Sequence, residues 1–265
     1  MRTLAWAPVR MGYALYATLA FLLTGLAAMI AALTLPGVRR RRAAARASAR
    51  AFLWLAGMPL TVRGVERLAP GQCVVVANHA SYLDGLVFTA ALPARFSFVI
   101  KREMSAVPLV GLFLRRIGSE FVERFDRQRG AADARRVLRS AASGHSLVFF
   151  PEGTFTRTPG LLKFHTGAFV IAARAGCPVI PAVVRGTRSA LSPSGGLPRP
   201  GRITIDILPP IEMPPQAGEV SSAELRDRAR QAILLALGEP DLTCSGDSAL
   251  PPRKERAKSA QASRP

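Results

Sequence analysis

The sequence predicts an α/β fold, with one domain of about 180 residues that is flanked by helices. Three observations support this prediction. Short β-rich runs alternate with helical patterns from residue 61 to residue 238. Two of these runs, CVVVA at 73–77 and SLVFF at 146–150, are apolar throughout, which is typical of strands covered on both faces. Residues 239–265 are rich in proline, serine and charge, and we expect a disordered tail there.

The runs assign each element of the domain in chain order. Strands are expected at 61–66, 73–77, 96–100, 120–123, 146–150, 179–184 and 203–208. Helices are expected at 82–92, 107–117, 127–143, 168–175 and 222–237. Because strands and helices alternate, a single α/β domain is favoured.

The composition limits the class of protein. Of 265 residues, 36 are Lys or Arg and 17 are Asp or Glu, giving a formal net charge of +19, and the hydrophobic share of 49% excludes a mainly disordered chain. Cys73, Cys177 and Cys244 are too widely spaced for a disulfide scaffold or a cysteine-only zinc site, and they fit a reducing compartment. The charge is compatible with nucleic acid or with an anionic membrane surface and anionic substrates. Because arginine richness can reflect genome composition, the net charge does not decide between these two kinds of partner.

Residues 1–60 are expected to form an N-terminal membrane anchor. Residues 11–35 carry no charge and, as a helix, extend about 37 Å, enough to cross a hydrocarbon core of roughly 30 Å. Arginines at 39–42, 46 and 50 follow, so the positive-inside rule places the rest of the chain in the cytoplasm, as at a bacterial inner membrane. A second helix at about 42–58, which includes Trp54, is expected to lie on the inner leaflet. The first segment either spans the bilayer or forms half of a re-entrant hairpin.

A histidine and an aspartate follow the strand predicted at 73–77, in the sequence NHASYLD at 78–84. Ligand-binding residues of open α/β sheets gather at the carboxyl ends of strands. Asp84 falls in the first turn of the next helix, where its carboxylate can reach one ring nitrogen of His79 and leave the other nitrogen to accept a proton from a hydroxyl. The alternative is that both residues only cap a helix.

A second polar segment, FFPEGT at 149–154, ends the apolar run at 146–150. Proline and glycine indicate a sharp turn, whose N–H groups can face a ligand, and Glu152 is available for a substrate hydroxyl. The sequence lacks the G-x-x-x-x-G-K-[ST], G-x-G-x-x-G, G-x-S-x-G and H-E-x-x-H motifs. With three histidines in all and no cysteine pair, no metal site is expected.

Together the segments resemble the glycerolipid acyltransferase superfamily, typified by 1-acylglycerol-3-phosphate acyltransferase. Its four blocks match NHASYLD at 78–84, GSEFVER at 118–124, FPEGTFTR at 150–157 and CPVIPAVVRGT at 177–187. LLKFHTGAF at 161–169 resembles the segment after the third block. The resemblance covers about 61–208 and implies an acyltransferase domain, at 61–238, built on a single mixed sheet.

The resemblance also implies roles for individual residues. His79 is implied as the general base and Asp84 as the carboxylate that orients it. The implied substrate-binding residues are Asn78, Lys101, Arg124, Glu152, Gly153, Thr154 and Arg157, with Arg124 on the acceptor phosphate and Lys101 and Arg157 in support. One position departs from the family pattern P-E-G-T-R-S-R, because Phe155 replaces its first arginine and a phenyl ring cannot bind phosphate.

The expected reaction is transfer of a fatty acyl group from acyl-CoA or acyl carrier protein to the free hydroxyl of 1-acylglycerol-3-phosphate, giving phosphatidate. No cofactor is implied, the lipid partners lie at the membrane surface, and nucleic acid is not an expected partner. Two alternatives stay open. One is an acyltransferase for another lysophospholipid or an ornithine-type lysolipid, and the other is a membrane-tethered basic binding protein.

Overall fold

The computed structural model describes residues 7–68, 70–123, 136–139, 141, 144–193, 196–212 and 221–243. Arg124, most of the helix predicted at 127–143, and residues 244–265 of the predicted tail lie outside the described residues. Residues 136–139 of that predicted helix are helical.

The described residues contain a seven-stranded mixed sheet, as expected. Its strands are β1 (Leu60–Arg63), β2 (Val74–Ala77), β3 (Phe96–Lys101), β4 (Glu120–Val122), β5 (Ser146–Phe149), β6 (Val179–Arg185) and β7 (Ile203–Ile207), in the order β1-β7-β6-β2-β5-β3-β4. The five strands from β6 to β4 run parallel to one another. The β6–β7 pair is antiparallel and β1 is parallel to β7, so β7 and β1, at one end of the strand order, run in the opposite direction.

The described helices are α1 (Ala7–Thr34), α2 (Val38–Leu55), α3 (Asp84–Ala91), α4 (Val110–Arg116), α5 (Gly167–Ala175), α6 (Thr187–Ala190) and α7 (Ser222–Leu237), with short 3-10 helices at Val65–Arg67 and Arg102–Ala106. In the described part of the domain the predicted elements lie within three residues of the observed bounds, α1 and α2 begin four residues earlier than predicted, and α6 was not predicted. The helix predicted at 107–117 begins at Val110, because Pro108 disfavours helical backbone at the residue before it.

Helices cover both faces of the sheet, which explains why the central strand β2 is apolar throughout. On one face Phe52 and Leu53 of α2 and Phe88 of α3 belong to the same buried cluster as Val75. On the other face α5 and α7 pack against the alternate residues of β2 and β6. Alternation along β2 thus directs successive side chains to opposite cores. At roughly 1.5–3 kcal/mol for each fully buried large side chain, these two layers hold the domain together.

Helices α1 and α2 form an antiparallel hairpin. The hydroxyl of Tyr13, near the start of α1, donates to the Ala56 carbonyl at 2.7 Å, just beyond the end of α2. Near the other end Ala32 of α1 and Ala45 of α2 share one buried cluster. The buried residues of α1 are alanines, at positions 14, 17, 20, 28 and 32, which let the two helices approach closely, and its large apolar side chains point outward. By length and composition α1 could cross a bilayer.

The arginines after α1 bind backbone carbonyls at helix ends. Arg42 is buried and donates to Ile117 O at 2.7 Å and Gly118 O at 3.0 Å, beyond the end of α4. In return Arg116 of α4 donates to Leu33 O at 2.7 Å, in the last turn of α1. These guanidinium groups satisfy carbonyls that a helix C-terminus leaves without internal partners. The hairpin is therefore fixed to the domain by directional bonds as well as by the apolar face of α2.

Candidate active site

The two polar segments leave the same edge of the sheet side by side. Strands β2 and β5 are parallel neighbours, with Val76 paired to Phe149. The residues that follow β2, beginning at Asn78, and those that follow β5, beginning at Phe150, therefore start at the same level. This adjacency brings together two segments that lie about seventy positions apart in the sequence.

Asp84 holds the ring and the backbone around His79 with one oxygen. Its Oδ2 lies 2.8 Å from His79 Nδ1 and also accepts the N–H groups of Ala80 at 2.6 Å and Ser81 at 2.9 Å. The Asp84 side chain is fully buried, whereas that of His79 is 20% exposed. The second carboxylate oxygen of Asp84, Oδ1, is buried and has no hydrogen-bond partner among the described residues. An ionised carboxylate accepts only, so the bond assigns the proton to Nδ1 and leaves Nε2 as a proton acceptor.

Glu152 binds two backbone segments rather than pointing at open solvent. Oε1 accepts the His79 N–H at 2.6 Å and Oε2 accepts the Leu162 N–H at 2.8 Å. The residue is 4% exposed and each of its carboxylate oxygens accepts one backbone N–H, so a contact of Glu152 with a substrate hydroxyl stays a prediction. Burial raises the pKa of Glu152 from 4.5 to about 7, the two N–H bonds and the charge of Arg188 acting in the opposite direction.

Aromatic rings enclose the imidazole. The Phe150 ring stacks on His79 at 4.6 Å between centroids and 22° between planes. Phe155 meets the same imidazole edge-on at 4.6 Å, and it meets Tyr82 edge-on at 4.7 Å. Tyr82 is 73% exposed, so this pair forms the outer wall of the site. The phenyl ring of Phe155 thus stands against the imidazole at the position where the family pattern has arginine.

The other expected site residues occupy different surroundings. Asn78 is buried, and its amide donates to Val184 O at 3.0 Å and accepts from Val184 N at 2.8 Å, which connects the end of β2 to β6. Lys101 ends β3 at the same sheet edge and pairs with Glu103 at 3.0 Å. Gly153 has φ +73° and closes the P-E-G turn, where its N–H donates to Phe150 O. Thr154 and Arg157 are exposed on the loop that follows.

Sequence reasoning missed several groups that shape this site. Phe150 and Phe155 were assigned to a strand and to a departure from the family pattern, and nothing in their spacing shows that both rings contact one histidine. The Leu162 N–H carries no residue-type signal, because any residue except proline supplies a backbone donor. The repeated aromatic positions in FFPEGTF are the one signal that indicates a ring-lined wall.

The chain is similar to known proteins over the region that holds the sheet and this site. The family model described as Acyltransferase matches residues 59–185. A putative 1-acyl-sn-glycerol-3-phosphate acyltransferase of Caenorhabditis elegans is 32% identical over 198 residues, covering 72% of this chain and 69% of that protein. A lysophospholipid acyltransferase of Arabidopsis thaliana is 40% identical over 119 residues, covering 42% of this chain and 28% of that protein. The chain spans 57% and 66% of the length of two further curated relatives.

The fold has a solved counterpart. The crystal structure of the 1-acyl-sn-glycerophosphate acyltransferase PlsC from Thermotoga maritima matches with a TM-score of 0.70 at 21% identity, over 89% of this chain and 96% of that one. The chain belongs to the glycerolipid acyltransferase superfamily, in its 1-acylglycerol-3-phosphate acyltransferase-like branch.

The raised pKa of Glu152 predicts a pH-dependent contribution to stability. Between pH 4.5 and about 7 the folded chain keeps a proton on this carboxyl that the unfolded chain releases, so stability is lost as the pH rises through this window. At 1.36 kcal/mol per pKa unit the loss is about 3 kcal/mol. The free energy of unfolding of the wild type, measured against that of Glu152→Gln in one detergent from pH 5 to pH 8, should decrease as pH rises. A difference that stays constant over this range would contradict the assignment.

Proposed function

We propose that the chain transfers an acyl group from a thioester, acyl-CoA or acyl carrier protein, to the free hydroxyl of 1-acylglycerol-3-phosphate. The observation that supports this most directly is the 2.8 Å contact between His79 Nδ1 and the buried Asp84 carboxylate. It leaves Nε2 unprotonated in a side chain that is partly exposed, beside the P-E-G turn. A positioned base of this kind is what a glycerol hydroxyl needs, because the hydroxyl is a weak nucleophile.

The proposed reaction needs no covalent acyl-enzyme intermediate. His79 Nε2 accepts the hydroxyl proton as the oxygen attacks the thioester carbonyl, and Asp84 stabilises the imidazolium that forms. The tetrahedral intermediate then breaks its C–S bond, and the imidazolium returns the proton to the departing thiolate. The products are a new ester and a free thiol.

Direct transfer is favoured over a serine ester. Ser81, the hydroxyl nearest in sequence to His79, is fully buried. Its Oγ donates to Leu191 O at 2.7 Å and accepts from Leu83 N at 3.3 Å, so it serves the turn before α3. A nucleophile needs access to substrate and a base within hydrogen-bond reach.

For the acceptor phosphate we propose Arg124, Lys101 and Arg157. Lys101 supports this because it ends β3, two strands from β2 at the same sheet edge. Gly153 and Thr154 lie in the turn that borders the imidazole and would contact the acceptor with their backbone. Asn78 and Glu152 act in this proposal as positioning residues, since their polar atoms bind the protein's own backbone.

Loss of the base tests the proposal. His79→Ala should lower kcat by about 10²–10⁴-fold, the usual contribution of a general base, and Asp84→Asn by at least about 10²-fold because the ring loses its orienting acceptor. The matched control is His145→Ala, an exposed histidine at the opposite end of β5. Thioester consumption with a lysophosphatidate acceptor provides the rate, and circular dichroism checks the fold. A folded His79→Ala variant with near wild-type kcat would refute the assignment.

A second acceptor class is favoured by Phe155. The phenyl ring of Phe155 lies against the imidazole where the family pattern has arginine, so the site lacks one bidentate phosphate ligand there. The exposed ring of Tyr82 beside it offers a face to an ammonium group. The relative named a lysophospholipid acyltransferase fits the same direction. The second candidate is therefore acylation of a lysophospholipid that carries a cationic head group.

Substitution of Phe155 separates the two acceptors. Phe155→Arg should raise kcat/KM for lysophosphatidate relative to an ethanolamine-bearing lysolipid by about tenfold, since a charged bidentate bond contributes roughly 1.5–3 kcal/mol. Phe155→Leu removes the ring without adding charge and serves as the control. Competition between the two lysolipids in one assay measures the ratio directly. An equal ratio in the wild type and Phe155→Arg would exclude this position from head-group selection.

We propose that the hairpin of α1 and α2 binds the cytoplasmic leaflet of the bilayer and does not span the bilayer. Helix α2 runs beside α1 and carries the arginines at 39–42, 46 and 50. A spanning α1 would take Arg46 and Arg50, which lie further along α2, into hydrocarbon at a cost of several kcal/mol each. An α1 lying in the interface plane instead buries only its outward apolar face.

The outward face of α1 supplies the test. Replacing Leu19, Leu22 and Leu26 together with serine should lower partition onto phosphatidylglycerol vesicles by at least about 10²-fold, at roughly 1.5–3 kcal/mol for each leucine removed from lipid. The control is Leu235→Ser, at a 77% exposed leucine on α7 across the sheet. Cosedimentation measures both. Unchanged binding of the triple variant would contradict the assignment of this face of α1 to the lipid surface.

A further inference from the structure

The residues just after α7 pack against the loop that follows the P-E-G turn. Residues 239–243, here called the strap, lie in the segment where the sequence predicts a disordered tail, and that boundary is corrected. Leu161 N donates to Pro240 O at 2.9 Å, Leu242 N donates to Leu161 O at 3.1 Å, and Leu161 forms a parallel bridge with Asp241. Leu161 itself is fully buried.

The approach of the two segments leaves no room for a side chain at Gly160. A Cβ built there would lie 2.4 Å from Leu242 Cγ, and its φ of +144° disfavours other residues. The Gly160 N–H donates to Glu239 Oε2 at 2.6 Å. Arg188 joins the same place, with bonds to Thr158 O and to Glu239 at 3.2 Å. The strap is therefore built into the loop by side-chain and backbone bonds.

Arg230 of α7 binds both segments at once. Its guanidinium donates to Leu162 O at 3.0 Å and Leu161 O at 2.9 Å, and it pairs with both oxygens of Asp241 at 3.0 and 2.5 Å. The side chain is 14% exposed, so water competes little for these bonds. Only the planar fork of arginine can serve two carbonyls and a bidentate carboxylate together.

The bonds continue from Arg230 to the candidate catalytic histidine. The N–H of Leu162, whose carbonyl Arg230 holds, donates to Glu152 Oε2, and Glu152 Oε1 accepts the His79 N–H at 2.6 Å. Two peptide groups and one carboxylate thus connect α7 to the turn that carries His79.

We infer that Arg230 and the strap are positioning elements for acyl transfer, because they fix Leu162 so that Glu152 can hold the backbone of His79. The inference rests on the proposed role of His79. Without Arg230 the Leu162 carbonyl loses the donor that Arg230 supplies and the Leu161 carbonyl keeps only the N–H of Leu242, so the Leu162 N–H is free to turn away from Glu152. Misplacement of a reacting group by about 1 Å can cost 10²-fold in rate.

The test compares two arginines on the same helix. Arg230→Met should lower kcat by about tenfold or more, with KM for donor and acceptor within about threefold, because the substrate contacts stay in place. Arg230→Lys should give an intermediate kcat, since an ammonium replaces only part of the fork. Arg226→Met is the matched control: Arg226 pairs with Asp227 through two bonds on the exposed face of α7, and its loss should leave kcat unchanged.

Hydrogen exchange gives a readout that does not depend on activity. Amides of residues 79–84 and 160–163 should exchange faster in Arg230→Met than in the wild type and Arg226→Met. If Arg230→Met does not fold, Asp241→Asn is measured against the same criteria, with a kcat loss of at least about threefold, because it leaves both carbonyl bonds of Arg230 intact.

Two outcomes would overturn the inference: a folded Arg230→Met variant with kcat within twofold of the wild type, or unchanged exchange at residues 79–84. Failure of the proposed function looks different. A wild-type protein that acylates no lysolipid would refute the activity, whereas the exchange comparison would still decide whether the strap orders the turn.

Discussion

One carboxylate oxygen sets the geometry of the site. Asp84 Oδ2 collects the imidazole Nδ1 and two backbone N–H groups, from Ala80 and Ser81, inside a fully buried position. A buried carboxylate needs hydrogen-bond donors to compensate for its lost hydration. Here the donors are two backbone N–H groups of the turn and the imidazole, both of which the site requires. Moving the imidazole would leave this charge with fewer partners. The hydrogen bonds to this carboxylate therefore fix the orientation of the imidazole, and they also hold the first turn of α3 in place.

The sheet supplies the second constraint, because β2 and β5 pair in parallel and end at one level. Glu152 then links the two segments that emerge, since its carboxylate accepts the His79 N–H and the Leu162 N–H. Phe150 covers one face of the imidazole and Phe155 its edge. Water reaches the ring from few directions. In the proposed mechanism a neutral Nε2 in this setting would bind less water and would be available to accept the proton of the substrate hydroxyl.

Much of the fold could be read from the sequence, because buried parallel strands are apolar runs and their ends carry the polar residues. His79, Asp84 and the P-E-G turn were predicted for that reason, and the carboxylate–imidazole contact follows from a five-residue spacing across a helix start. The bonds of Glu152 to backbone N–H groups were not predicted, since a carboxylate that binds such groups has no signature of residue type. The strap was predicted as tail because its bonds to residues 160–161 are long-range and mostly backbone-mediated. Local composition carries no information on such contacts.

Helix α3 joins the hairpin of α1 and α2 to the site. It begins with Asp84, and near its other end the Ala90 carbonyl accepts the Arg46 guanidinium of α2 at 3.3 Å. Phe88 of the same helix lies in one buried cluster with Phe52 of α2 and packs edge-on against Phe150 at 5.5 Å. A hairpin that lies on a bilayer through α1 would therefore hold the imidazole at a fixed height, because α2, α3 and the sheet form one packed unit. In the proposed reaction the acceptor hydroxyl lies near the lipid surface, so the base must stay at that height. The proton transfer can then occur while the imidazole stays in its site and the lipid stays in the bilayer.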